Sequence, residues 1–128
     1  MYQEIFQTGL TVVNKIRQTQ QKAIETSAHL IADAFVNGHT FYVSGSGHSH
    51  NVCEEFYGRA GGLAFCVTIL TSELTMTEHP PKSSYIEKLS GYAAVLVKLH
   101  HIHKDDVVLL ASNYGRNAYQ VEIAQYAT

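Results

Sequence analysis

The sequence predicts an α/β protein with a parallel sheet of three strands and flanking helices. Three observations carry this expectation. The runs Leu63–Leu70 and Val107–Ala111 are apolar almost without interruption, as in strands buried on both faces. Strand-like runs alternate with segments of helical periodicity, an order that implies right-handed crossovers between parallel strands. Two polar loops, 44–49 and 112–117, each follow a strand and precede a helix, so both fall on one edge of the sheet.

From the N-terminus, residues 2–36 read as helix, with room for a bend. Phe6, Leu10, Val13 and Ile16 form one apolar stripe, and Ile24, Ala28, Ile31 and Phe35 another. Asn37-Gly38 supplies a stop signal. This arm, 1–37, must cover its stripes either against another subunit or against its own sheet. Phe41-Tyr42-Val43 is the first strand, and a helix is expected over 49–60. Residues 63–70 form the second strand and 71–82 a loop ending in Pro80-Pro81. Ser84-Tyr85-Ile86-Glu87 has the S-x-x-E capping pattern, and Ile86, Leu89, Ala93 and Leu96 extend one helix to Leu99. His100, His101 and His103 fall at its C-terminus, where the helix dipole favours cationic side chains. The third strand is 107–111, and a last helix runs to the C-terminus.

Length and apolar content (128 residues, 45% hydrophobic) predict one domain with a real core. A net charge of −2 offers no basic footprint for nucleic acid. No apolar stretch is long enough to cross a bilayer, and no secretory signal opens the chain, so a cytoplasmic protein is expected. Cys53 and Cys66 have neither metal-motif nor disulfide-framework spacing. Only 16% of the residues are charged, which points to surface covered in a homo-oligomer. Val107–Ala111 resembles a central strand yet is followed by a single helix. Either the chain is a truncated form of a longer protein, the favoured reading, or a second chain completes the sheet.

The loop Ser44-Gly45-Ser46-Gly47-His48-Ser49 is the first candidate site. A glycine-rich loop between a strand and a helix presents backbone N–H groups and the positive helix end to an anion, most often phosphate. It lacks the third glycine of a dinucleotide fingerprint and the Gly-Lys-Ser/Thr of a P-loop. Ser112, Asn113, Gly115, Arg116 and Asn117 form the partner loop on the same edge. His48 and His50 suit hydrogen bonding to a ligand or proton transfer. Two histidines in a loop do not make a metal site, and neither metal nor cofactor is expected.

Gly45-Ser46-Gly47-His48-Ser49, the stretch Phe56-Tyr57-Gly58-Arg59-Ala60-Gly61-Gly62-Leu63-Ala64 and Ser112-Asn113-Tyr114-Gly115-Arg116-Asn117 together resemble the sugar isomerase (SIS) domain. The likeness is to bacterial phosphoheptose-isomerase-like proteins and runs over nearly the whole chain, 1–128, matching the N-terminal part of such proteins. The resemblance implies a three-layer, flavodoxin-like α/β/α fold that binds a phosphorylated sugar between the two loops. It also implies assembly partly through the N-terminal helices, and two further strands in full-length members. Ser49 matches the serine of the family's first motif. Ser112 and Gly115 match its second motif, whereas Tyr114 and Asn117 stand in place of a serine and a threonine.

Phosphoheptose isomerases and muramic-acid-phosphate etherases carry a glutamate about fourteen residues after the first glycine. Here that count reaches Arg59, and the acidic candidates, Glu54 and Glu55, lie one turn earlier. The catalytic candidates are therefore Glu55, Glu54 and His50. The resemblance implies a sugar-phosphate isomerase, or alternatively a non-catalytic phosphosugar-sensing module.

Overall fold

The computed structural model describes all 128 residues, Met1–Thr128, which divide into two compact units, Met1–Asp33 and Ala34–Thr128. The first consists of helix α1 (Tyr2–Thr19) and most of α2 (Gln21–Val36). The expected bend is a break at Gln20, whose φ of −109° and ψ of 0° leave the helical region. Thr8, Thr11 and Thr19 return their hydroxyls to carbonyls four residues back at 2.8–2.9 Å, a bond that loosens helices locally. No residue of α1 is buried, and Phe6, Leu10, Val13 and Ile16 are 59%, 57%, 61% and 48% exposed.

The second unit is the α/β body. Its strands are β1 (Phe41–Gly45), β2 (Cys66–Ile69) and β3 (Val107–Ala111), all parallel, in the order β2-β1-β3. A 3-10 turn at Gly47–Ser49 leads into α3 (His50–Tyr57). Two helices, α4 (Lys82–Ile86) and α5 (Tyr92–His100), lie between β2 and β3, and α6 (Ala118–Tyr126) follows β3. The register Phe41↔Cys66 and Phe41↔Val107 divides the side chains between two faces. Phe41 meets Phe56 of α3 edge-on, 5.7 Å between ring centres, and Phe65 packs on both Phe41 and Phe35. The opposite face carries Tyr42 and Ile69, which join Ala93, Leu96, Tyr119 and Ile123 of α5 and α6 in the main core. Helices thus cover both faces, giving the α/β/α order of a SIS-like, flavodoxin-type fold.

Three expectations need correction. The capping box at Ser84 does not form. Instead α4 starts at Lys82 behind Pro81, and Glu87 turns elsewhere. The single helix expected from Ser84 to Leu99 is two helices, because Gly91 takes a φ of 84° and breaks it. Glu122 of α6 holds this break: its carboxylate accepts the Gly91 N–H at 2.9 Å and the Ser90 hydroxyl at 2.8 Å. Those bonds, the Gly91 N–H first, hold its carboxyl below the usual range. The second strand is also shorter than its apolar run. The Leu63 N–H goes to the Phe56 carbonyl at 2.8 Å, so Leu63 closes α3 rather than starting β2. Gly62 permits this approach, since a Cβ there would lie 2.8 Å from the same oxygen.

β3 lies at the sheet edge, paired only with β1, and all five of its residues are half-buried. Its entry is clamped by Asp106, whose carboxylate accepts the N–H of Thr40 at 2.7 Å and of His103 at 2.8 Å. His100 ends α5 and accepts the Tyr42 hydroxyl on its carbonyl at 3.0 Å, while His101 caps the helix in the left-handed conformation.

Under the end of β1 the Ser44 hydroxyl sits 2.5 Å from the Tyr119 hydroxyl, and the Ile69 carbonyl lies 3.2 and 3.3 Å from the two, so one hydroxyl donates to the other and the second donates to the carbonyl. Burial pushes the Tyr119 phenol up to about 12, against the opposing effect of its bond to Ser44. Burial, with Cys66 nearby, pushes the Cys53 thiol up to about 11. Both groups ionise more readily in the unfolded chain. The stability tied to them is complete below the unfolded values of 9.0 and 10.0 and is lost as pH rises through about 11 and about 12. Denaturant midpoints should therefore fall progressively above pH 9. Tyr119→Phe should flatten the part of that fall above pH 10 and cost about 1 kcal/mol at neutral pH.

A Cβ at Gly45 would lie 2.7 Å from the Ser49 carbonyl oxygen and 2.9 Å from its carbon, both backbone atoms. Gly45→Ala should destabilise the chain by about 1–3 kcal/mol in urea unfolding. Gly9→Ala, where nothing lies within 4 Å, should not destabilise it.

Candidate functional site

The strand order sets the place of the site. β1 is followed by α3 on one face of the sheet, and β3 by α6 on the other. Neighbouring strands whose helices depart to opposite faces leave a crevice at their carboxyl ends. A cavity of about 370 Å³ opens there, between the loop after β1 and the loop after β3. The segment between β2 and α4 closes its third side through Met76 and Pro80, and Ser83, Ser84 and Glu87 complete the rim.

Of the candidates in the first loop, Ser46, Gly47, His48 and Ser49 line this cavity, whereas Ser44 and Gly45 do not. The Ser44 hydroxyl is spent inside the core, and Gly45 is the close-packing point beneath the turn. The loop is less open to an anion than a chain of free N–H groups would be. The Gly47 N–H, at a φ of 56°, bonds the Leu74 carbonyl at 2.8 Å, and the Ser49 N–H bonds the Ser46 carbonyl at 3.1 Å. Leu74 is fully buried, so the 71–81 segment holds the turn in place.

In the second loop, Ser112, Asn113 and Asn117 line the cavity together with Tyr114. Ser112 Oγ accepts the Gly115 N–H at 2.9 Å, and Gly115 has a φ of 60°, so the loop closes on itself. Gly115 and Arg116 lie outside the lining. Arg116 stacks over Tyr114, 5.3 Å from the ring centre.

The catalytic candidates of α3 fall away from the cavity. Glu55 pairs with Arg59 one turn on, both at the surface. His50 is buried, with Nδ1 donating to the Gly47 carbonyl and Nε2 3.4 Å from Glu54. None of the three lines the cavity.

The carboxylate that does line it is Glu87. The Ser46 hydroxyl donates to Glu87 Oε2, and Gln120 Nε2 donates to the Ser46 oxygen and, at 3.5 Å, to the same carboxylate oxygen. The Glu87 carbonyl also accepts the Tyr119 N–H at 2.9 Å, which fixes the turn after α4 to the start of α6. Sequence reasoning assigned Glu87 to a helix cap and did not single out Gln120. The glutamate's place beside the apolar α4–α5 stripe was visible, but its turn toward Ser46 depends on tertiary contacts. No lysine or arginine lines the cavity, so its anion donors are serine hydroxyls, asparagine amides, the Tyr114 hydroxyl and the His48 ring.

No group of three or more His, Cys, Asp or Glu side chains is placed to hold a metal, and no helix is long and apolar enough to cross a membrane. The profile described as the SIS domain matches residues 5–128. Among similar proteins, the UPF0309 protein of Halalkalibacterium halodurans is 46% identical over 113 residues, which cover 88% of this chain and 47% of that protein. The UPF0309 protein of Caldanaerobacter subterraneus subsp. tengcongensis is 38% identical over 113 residues, covering 88% and 46%. That of Brucella ovis is 34% identical over 122 residues, covering 95% and 50%. The chain spans about half the length of these curated relatives. With the parallel α/β body and the profile match across nearly all its residues, the chain belongs to the SIS domain family.

Proposed function

We propose that the chain binds a phosphorylated sugar in the cavity between β1 and β3, and that Glu87 is the acid–base group of an aldose–ketose isomerisation. The observation that carries this reading is the Ser46–Glu87 pair, a carboxylate held by a hydroxyl within a serine-rich cavity. Membership of the SIS family supports the ligand class, and about 370 Å³ falls within the usual range for small-molecule sites.

In this reading Ser49, Ser112 and the asparagines of the second loop bind the phosphate. Glu87 removes a proton from the carbon beside the sugar's carbonyl. The C–H electron pair becomes the C=C bond of an enediolate, and the carbonyl oxygen takes the charge, stabilised by loop donors. The hydroxyl proton on the carbon that lost its hydrogen passes to this oxygen, and returning the proton from Glu87 to the former carbonyl carbon leaves the carbonyl on the neighbouring carbon.

A second reading, a module that binds phosphosugar without turning it over, is favoured by one observation. Glu54, Glu55 and His50 are all engaged on α3, away from the cavity. Proton exchange of a ketose phosphate in heavy water separates the two. The isomerase reading expects exchange that Glu87→Gln lowers by about 10²–10⁴-fold while calorimetric binding persists. Binding without exchange in the unaltered chain leaves the sensing module, and no binding removes both.

The same proposal includes a homo-oligomer assembled through the exposed α1 stripe, Phe6, Leu10, Val13 and Ile16, or through the β3 edge. Light scattering should give a mass of at least twice the 14.2 kDa chain. A monomer mass would remove this part, and Leu10→Glu with Val13→Glu tells the stripe from the edge.

A further inference from the structure

Gln120 is 4% exposed and lines the cavity. It is the third residue of α6, directly after Tyr119, whose hydroxyl and N–H are both bonded into the body. Its Nε2 donates to Ser46 and Glu87. Its Oε1 has no hydrogen-bond partner, alone among the buried side-chain nitrogen and oxygen atoms of the chain.

Turning the amide round does not cure this. Ser46 spends its proton on Glu87 Oε2, so both neighbours of Nε2 are acceptors, and a reversed amide would set oxygen against oxygen. A buried acceptor left without a donor is a standing destabilisation that a ligand's donor would relieve. Glu87 is a second acceptor beside it, and the lining holds no lysine or arginine to offset its charge. Around Gln120 the cavity therefore matches hydrogen-bond donors and repels an ionised phosphate.

Resting on the phosphosugar reading above, we propose that Gln120 Oε1 accepts a hydrogen bond from a hydroxyl or amino group of the sugar. Gln120 then reads the donor pattern of the sugar ring or chain, while the phosphate lies toward the serines of the two loops. The ligand is oriented by charge: its anionic end is kept off Glu87, and its hydroxyl-bearing carbons are brought to it. Gln120 also borders a shallow groove beside β3 and α6. An Oε1 turned to that groove would leave ligand binding untouched, which the test detects.

The test is calorimetric titration of the full 128-residue chain and of Gln120→Met, using glucose 6-phosphate, glucosamine 6-phosphate and inorganic phosphate. The expected result is about a tenfold loss of affinity for the sugar phosphates in the variant, the worth of one hydrogen bond, with inorganic phosphate unchanged. Equal losses for all three would assign Gln120 a structural role only, and no loss would place Oε1 away from the ligand. Either overturns the proposal and leaves the phosphosugar reading standing. Failure of the unaltered chain to bind any sugar phosphate would remove that reading and this one with it. Should Gln120→Met not fold, the assigned side-chain amide resonance of Gln120 in the unaltered chain serves instead. It should shift with a sugar phosphate and not with inorganic phosphate, and an unmoved resonance overturns the proposal.

Discussion

The hydroxyl pair Ser44–Tyr119 is the contact on which the rest of the body depends. It joins the end of β1 to the start of α6, and through the Ile69 carbonyl it reaches β2 as well. All three groups are buried, so each bond forms where water cannot compete, and losing one would strand polar atoms in the core. The pair also sets register. With Tyr119 held over Ser44, the next residue of α6, Gln120, falls against Ser46, two residues further along the chain. Fold and site therefore share one anchor.

The crossing pattern completes what that anchor begins. β1 sends its chain to one face and β3 to the other, and the two loops part around a crevice instead of closing over it. The crevice is lined by hydroxyls, side-chain amides, the His48 ring and a single carboxylate, without lysine or arginine. In water, serine and asparagine bind phosphate more weakly than arginine does. A site of this kind gains from geometry, with several short donors aimed together, rather than from charge.

The sheet was legible because strand burial writes itself into continuous apolar runs such as Val107–Ala111, and the loops because glycine and serine after a strand leave few other readings. Which loop atoms face the cavity was not legible. Ser44 and Ser46 are two residues apart and chemically alike, yet one is core and the other lining. Glu54 and Glu55 looked suited to chemistry from their nearness in sequence to the first loop, but α3 carries them to the surface and Arg59 takes one of them. Glu87 was masked by a local pattern: S-x-x-E describes a helix start, and only tertiary structure shows that α4 starts earlier, at Lys82 behind Pro81. The split at Gly91 had a signal, a glycine inside a helical run, that the strength of the flanking stripe outweighed.

The bond from the Gly47 N–H to the Leu74 carbonyl has a consequence for affinity. A loop that must become ordered around its ligand pays for that ordering out of the binding energy. This turn is already held, by a buried leucine on one side and the close approach at Gly45 on the other. Its shape is preorganised, so an arriving ligand meets donors that need not be gathered first. The same bond makes the 71–81 segment, remote in sequence from both glycine loops, part of what determines how tightly they hold.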